Sequence, residues 1–305
     1  MNTNPHDGTP YDHTWHDISQ DDTLMTAVDG RSALRMERRL PHPPERVWAA
    51  LTEPAALAQW FPSEVTVDLT PGGAMGFHFP GVSGPGMTGT VTDVDEPRLF
   101  AFTWGADHLS WSIAPDGEGS LLTLVHTFDD LPGAASFASG WHLCITALAQ
   151  LLAGGPVTVG RDTGELHETY VRRFGLGRGT AETAETAGGD ATGPRIRLER
   201  QLVRPAATVW DVLSAGIEPV AGLPVPAGFT AGNVPAGHVT EVRAPKSLTY
   251  TWEPAGSVTW ELGEGTGHGA RLVLTQTGPE GGDADAALAA WRTRIDQLAA
   301  DLLKA

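Results

Sequence analysis

Cysteine is almost absent: Cys144 is the one such residue in 305. No disulfide can form within the chain and no cysteine-based zinc site can be assembled, so the fold must be held by its apolar core. Basic charge is short as well. Lys and Arg number 20 against 37 Asp and Glu, a formal charge of −17 at pH 7. A phosphate footprint needs clustered cations, so nucleic acid is not an expected partner, and an anionic membrane surface is disfavoured on the same ground. The acidity reads as solubility. No uninterrupted apolar run reaches the ~18 residues of a membrane helix. The opening "MNTNPHDGTPYDHTWHD" lacks the basic start and apolar stretch of a signal peptide. A cytoplasmic protein is the expectation.

Familiar chemical signatures are missing too. There is no Gly-x-Ser-x-Gly elbow, no His-Glu-x-x-His pair and no phosphate-binding lysine loop. "PGGAMG" and "GPGMTG" lack the strand-to-helix setting of a phosphate loop and read as strand connections. His13 and His16 in "YDHTWHD" offer two ligands on a polar tail, too few for a closed metal site. No metal and no cofactor are expected.

What the chain does contain is a repeat. "RMERRLPHPPERVW" from Arg35 and "RLERQLVRPAATVW" from Arg197 are identical at seven of 14 positions. "GTVTDVDEPRLFAFTW" (Gly89 to Trp104) answers to "GHVTEVRAPKSLTYTW" (Gly237 to Trp252), and "LLTLVHT" to "RLVLTQT". Trp141, Ile145 and Leu148 answer to Trp291, Ile295 and Leu298 near the ends of the copies. Self-similarity of this kind marks two structural units on one plan. With 41% hydrophobic and 19% charged residues, the composition is globular. The expected organisation is a flexible tail over 1–30, a complete domain over 31–176, a Gly-, Thr- and Ala-rich linker over 177–194 and a reduced domain over 195–305.

Each copy reads as a strand, a helix opened by proline, a run of alternating strands and a long amphipathic helix. Agreement between copies fixes the inward face. Phe100, Phe102 and Trp104 match Leu248, Tyr250 and Trp252, so the aromatic set faces in. By the same test Leu109, Trp111 and Ile113 face in, as do Leu122, Leu124 and His126. The fold class is α+β: an antiparallel sheet with one apolar face, closed by one long helix.

That order resembles the helix-grip fold of the START-like, birch-pollen-allergen-like (SRPBCC) superfamily. "PPERVWAALTEPAALAQWF", "GTVTDVDEPRLFAFTW", "LTLVHTF" and "GWHLCITALAQLLAG" are similar to the branch homologous to the activator of heat-shock-protein-90 ATPase. The resemblance implies two tandem helix-grip units, each a curved sheet wrapped around its C-terminal helix with an apolar cavity between them. It implies no single activity, because members bind apolar ligands, cyclise polyketides or dock onto chaperones.

The copies are not equal. Their offset falls from 162 residues at the first helix to 148 at the "GTVTDV" strand, so 14 residues are missing from the second. In place of Trp60, Phe61, "SEVTVDL" and "AMGFHF" it has "IEPVAGLPVPAGFTAGNVPA", a poor strand former. The second unit is expected to lack one or two strands and the helix at the cavity mouth.

The leading functional expectation is a non-catalytic site for a small apolar or aromatic molecule in the first domain. Its expected lining is Trp60, Phe61, Phe79, Phe100, Phe102, Trp104, Trp111, His126, Trp141, Cys144, Ile145 and Leu148. His126 is polar on an apolar face, so either a ligand or a neighbouring group must satisfy it. In a cyclase- or dehydratase-like alternative His126 would move a proton. His142, one position off the helical stripe, reads as a flank residue, and Cys144 as a small core hydrophobe. A third alternative is a co-chaperone-like module whose shortened second domain docks a protein partner through an unpaired sheet edge.

Overall fold

The computed structural model describes residues 22–305 except 80, 82–85, 159, 161–162, 183–194, 233, 235, 253–255, 268 and 279–282. His13 and His16 lie outside the described residues, as does most of the linker. The chain divides into two compact units, residues 1–128 with 144–159, and residues 129–143 with 160–305.

The first unit holds an eight-stranded antiparallel sheet. Its strands are β1 (Thr23–Thr26), β2 (Ser32–Leu40), β3 (Glu64–Val67), β4 (Ala74–His78), β5 (Met87–Asp95), β6 (Leu99–Trp104), β7 (Asp107–Asp116) and β8 (Gly119–Phe128). They lie in the order β1-β2-β8-β7-β6-β5-β4-β3. Helices α1 (Pro44–Thr52) and α2 (Pro54–Trp60) connect β2 to β3, each with proline at its first turn, where a missing N–H costs nothing. The inner-face assignment holds. Leu109, Trp111, Ile113, Leu122 and Leu124 are all at most 3% exposed, and His126 is equally buried.

Helix α3 (Ala134–Leu152) follows a short 3-10 turn whose first amides are capped by Asp130, which accepts from the Gly133 amide at 3.3 Å. Its residues to 143 group with the second unit and the rest with the first. The stretch Leu131–Leu152 reaches the length and apolarity of a membrane span, a property the run-length reading of the sequence missed because Ser, Gly, His and Thr interrupt it. Of its most apolar window 61% is buried within the protein, the signature of a core helix.

The second unit adds α4 (Gly164–Phe174), then β9 (Thr180–Glu182), β10 (Arg195–Gln201), α5 (Ala206–Ser214), β11 (Val239–Arg243), β12 (Ser247–Thr251), β13 (Ser257–Glu264), β14 (Ala270–Thr277) and α6 (Ala284–Leu302). Its sheet has six strands in the order β11-β12-β13-β14-β10-β9. Among the described residues nothing answers to α2, β3 or β4, which is the shortening expected from the Pro- and Gly-rich substitute. Two segments do more than their composition suggested. Residues 23–26 of the expected tail pair with β2, and residues 180–182 of the expected linker pair with β10. Both satisfy backbone groups on an edge that would otherwise be open.

The repeat reaches into fine geometry. Both copies carry a register irregularity at matching places, between Val91 and Asp93 and between Val239 and Glu241. Both have a cis X-Pro bond, Glu96-Pro97 and Ala244-Pro245. Gly89 and Gly237 serve one purpose. A Cβ at Gly89 would lie 1.8 Å from the Thr103 carbonyl oxygen, and one at Gly237 would lie 2.2 Å from Thr251 Oγ1. The next amide donates to those threonine hydroxyls in each copy, Thr90 to Thr103 at 2.9 Å and His238 to Thr251 at 3.1 Å.

Candidate functional site

In the first unit α1, α2 and the inner face of the sheet enclose an aromatic cluster. Trp60, the last residue of α2, meets Trp111 edge-on with ring centroids 5.8 Å apart, and its indole N–H donates to Ala50 O at 2.8 Å. Phe61 then begins a stack, 5.4 Å from Trp104 and 6.1 Å from Phe77. Phe77 lies 4.7 Å from Trp104, and Phe79 covers the other part of Trp104 at 5.9 Å. Such offset and edge contacts are the favoured arrangements of aromatic rings.

Between these rings remains a cavity of about 10 Å³, walled by Leu51, Leu57, Trp60, Phe61, Val65, Met75, Phe100, Phe102 and Trp111. That is room for one water at most, and every wall is apolar. Five of the expected lining residues meet there: Trp60, Phe61, Phe100, Phe102 and Trp111. Phe79 and Trp104 form the adjoining stack, and Trp104 is half-buried. His126, Trp141, Cys144, Ile145 and Leu148 are not among the residues lining the cavity. Leu51, Leu57, Val65 and Met75 do line it and were not singled out. Helix periodicity could have found Leu51 and Leu57, whereas Val65 and Met75 sit on strands with no counterpart in the second copy.

The second copy closes the same place differently. Phe229, in a 3-10 turn at Ala227–Phe229, is fully buried with its ring 5.3 Å from Trp210 and 5.7 Å from Trp260. Its carbonyl oxygen accepts from Tyr250 Oη at 3.0 Å and from Trp260 Nε1 at 3.1 Å. Burial raises the pKa of the Tyr250 hydroxyl, which keeps it a donor. Where the first unit has loosely stacked rings, the second has a plug held by two hydrogen bonds.

His126 has a charged neighbour. Its Nε2 lies 3.0 Å from Asp107 Oδ2, and Arg31 lies 3.7 Å from the other carboxylate oxygen. Asp107 stands at the start of β7 on the same face, so strand parity brings the two together. This is the second polar group that a proton-transfer role requires, and equally the partner that a buried structural histidine needs. On the outer face His108 Nε2 meets Thr92 Oγ1 at 3.0 Å. Desolvation, aided by the Arg31 and His126 charges, lowers the His108 pKa against the pull of Asp93.

On α3, Trp141, Ile145 and Leu148 are buried and Cys144 is half-buried. Desolvation pushes the Cys144 thiol up to about 12, so it is a thiol and not a nucleophile at neutral pH. His142 is not the flank residue its position suggested. It is 4% exposed, and its Nδ1 lies 3.1 Å from Tyr170 Oη on α4, a segment outside the repeat. Among the described residues no three His, Cys, Asp or Glu side chains stand close enough to hold a metal. The outer edge of β11 is partly covered: Val239 N donates to Leu223 O at 2.9 Å, and Gly222 and Val225 amides donate back to the 237–239 stretch.

Comparison with known proteins gives a consistent picture. A family model described as "Activator of Hsp90 ATPase homolog 1-like protein" matches residues 41–153 and 226–302. No curated protein matches the chain. Among solved structures, the crystal structure of CalU16 from Micromonospora echinospora is 21% identical, with 50% of this chain and 92% of that one covered and a TM-score of 0.41. A conserved protein of unknown function from Enterococcus faecalis is also 21% identical, covering 50% and 89% with a TM-score of 0.43. The solution structure of the Aha1 dimer from Colwellia psychrerythraea is 16% identical, covering 39% and 95% with a TM-score of 0.35.

Proposed function

The chain belongs to the Activator of Hsp90 ATPase homolog 1-like family, and we propose that its first unit binds a small hydrophobic or aromatic molecule. The observation that carries this reading is the contrast between the two closures. In the second unit the space above Trp260 is filled by Phe229, which two hydrogen bonds anchor. In the first unit the space above Trp111 is bounded by Phe61 and by α2, a helix of 7 residues tied by one indole hydrogen bond. A ligand of ordinary size needs a few hundred Å³. It gains that room by displacing Phe61 and α2 and takes over their contacts with Phe100, Phe102 and Trp111. Burying apolar ligand surface stabilises the open form by roughly 25 cal/mol per Å². A cytoplasmic setting belongs to the same reading.

Native mass spectrometry of the freshly purified chain, set against the denatured chain, tests it. A reproducible excess mass of a few hundred daltons, lost in Trp111→Ala, supports the proposal. An empty protein that also fails to take up an apolar fluorescent dye would refute it. The cyclase-like reading has one observation in its favour, the His126–Asp107 pair, but His126 does not line the apolar cavity. The docking reading rests on Ile217, Val220 and Leu223, which are 62%, 47% and 55% exposed in the loop that replaces the missing strands.

A further inference from the structure

We propose that the second unit carries a separate pocket for a small oxyanion, a carboxylate or phosphate group, read by His167 and Arg204. The pocket is a cavity of about 550 Å³ bounded by α3 at Gly140, by α4 at Thr163, Gly164 and His167, by Arg204 after β10, and by Thr266 in the turn between β13 and β14. That volume suits a small metabolite.

His167 is the first sign that something binds here. It is 3% exposed, its Nδ1 lies 3.4 Å from Glu168 Oε1, and its Nε2 has no hydrogen-bond partner among the described residues. Glu168 is held in turn by Arg200, which also bonds Asp296 at 2.5 Å. Burial works to raise the Glu168 pKa, but the bond from His167 and the Arg200 charge outweigh it and hold it low. An ionised Glu168 orients Nδ1–H toward itself, leaving Nε2 to serve the pocket. A buried ring nitrogen left unpaired is costly, and a ligand oxygen removes that cost.

Charge decides which ligand. Arg204 is the one formally charged side chain among the described lining residues. It donates through Nε to Leu302 O at 3.1 Å and forms no ion pair among the described residues. The acids nearby are already engaged, Asp130 by Arg271 at 2.8 Å and by Thr266, and Glu168 by Arg200. Thr163 caps α4 without a side-chain hydrogen bond, so the positive end of an 11-residue helix faces the same space. An oxyanion therefore meets a guanidinium, a helix N-terminus and, once His167 is protonated, an imidazolium.

The test is a titration of the imidazole NMR signals of the whole chain, with the His167 peak assigned by H167Q. Sodium phosphate and sodium acetate are added in separate arms, and sodium chloride at matched ionic strength serves as the control. The His167 signal is expected to shift and saturate with phosphate, acetate or both, and the arm that saturates names the source. R204M is expected to weaken the response at least tenfold. G140L serves as the blocking variant, because a Cβ at Gly140 meets nothing within 4 Å and the side chain grows into the pocket without strain. It should abolish the response while the unfolding midpoint holds. A His167 signal that ignores both anions, that follows chloride equally, or that responds unchanged in R204M and G140L would overturn the proposal. The apolar cavity of the first unit takes no part in any of these outcomes.

Discussion

If Phe229 is the plug of the second unit, Phe229→Ala must be one of the most damaging substitutions there. The ring is 0% exposed and lies against Trp210 and Trp260, whose centroids are 5.3 and 5.7 Å away. Removing a buried phenylalanine ring costs about 3–5 kcal/mol, depending on how far the site collapses. Collapse is limited here. Tyr250 and Trp260 still donate to the carbonyl of residue 229 and hold the backbone in place, so the cavity stays open. The expected loss is about 4 kcal/mol, a large fraction of a domain stability of roughly 5–15 kcal/mol. Hydrogen exchange read by mass spectrometry localises it. Protection in β10 and β12–β14 should fall by up to about three powers of ten, since 1.4 kcal/mol is one power of ten. Protection in β2 and β6–β8 should hold, and Phe229→Leu should recover most of the loss. A cost below about 1 kcal/mol, or an equal loss of protection in both sheets, would show that Phe229 does not close an independent core.

Three further outcomes follow from named contacts. Glu168 has a depressed folded-state pKa, so its stabilising contribution is present above the ordinary carboxylate range and is lost as pH falls through the folded value. Acid unfolding of the second unit should therefore flatten in Glu168→Gln, while Arg200→Met, which strands a buried carboxylate, should cost about 3–5 kcal/mol near neutral pH; a denaturant series at several pH values checks both. Gly89→Ala sets a Cβ 1.8 Å from a backbone oxygen, and the strand must shift at a cost of roughly 1–3 kcal/mol, read as a lower denaturation midpoint. Cys144, with its thiol pushed up to about 12, should react with a disulfide reagent at neutral pH far more slowly in the native chain than in denaturant.

Parity and repetition made the sheets legible. Two aligned copies show which side of each strand must agree, and Trp111, Leu124 and Trp260 lie buried where that argument puts them. The cavity was legible only in part. Its sheet-borne wall follows from alternation, but Met75 and Val65 stand on strands present in one copy, where no comparison is available. The pocket around His167 was invisible for a different reason. Its pieces come from α3, α4, the segment after β10 and a turn, separated by up to 129 residues from Gly140 to Gly269, and no periodicity links them. The imidazole of His142 was misplaced because its partner, Tyr170, also lies outside the repeat.

One signal within the repeat was readable and points to its true extent. Leu34, Met36 and Leu40 face the core, and so do Ile196, Leu198 and Leu202. Arg38 and Arg200 occupy the same parity, so each copy aims an arginine inward from its first strand, which an apolar face tolerates only with a carboxylate in reach. Neither repeat supplies one. Arg38 takes Asp22, at 2.6 and 3.0 Å, and Arg200 takes Glu168. Both acids stand just ahead of an edge strand, β1 or β9, which pairs with that same first strand at matching positions, Thr23 with Arg35 and Thr180 with Arg197. The duplicated element is thus longer than the duplicated sequence: an acid, an edge strand and an inward arginine recur where "TLMT" and "TAE" share little. Selection on such a segment acts through backbone pairing and one buried charge, and leaves the remaining side chains free to drift.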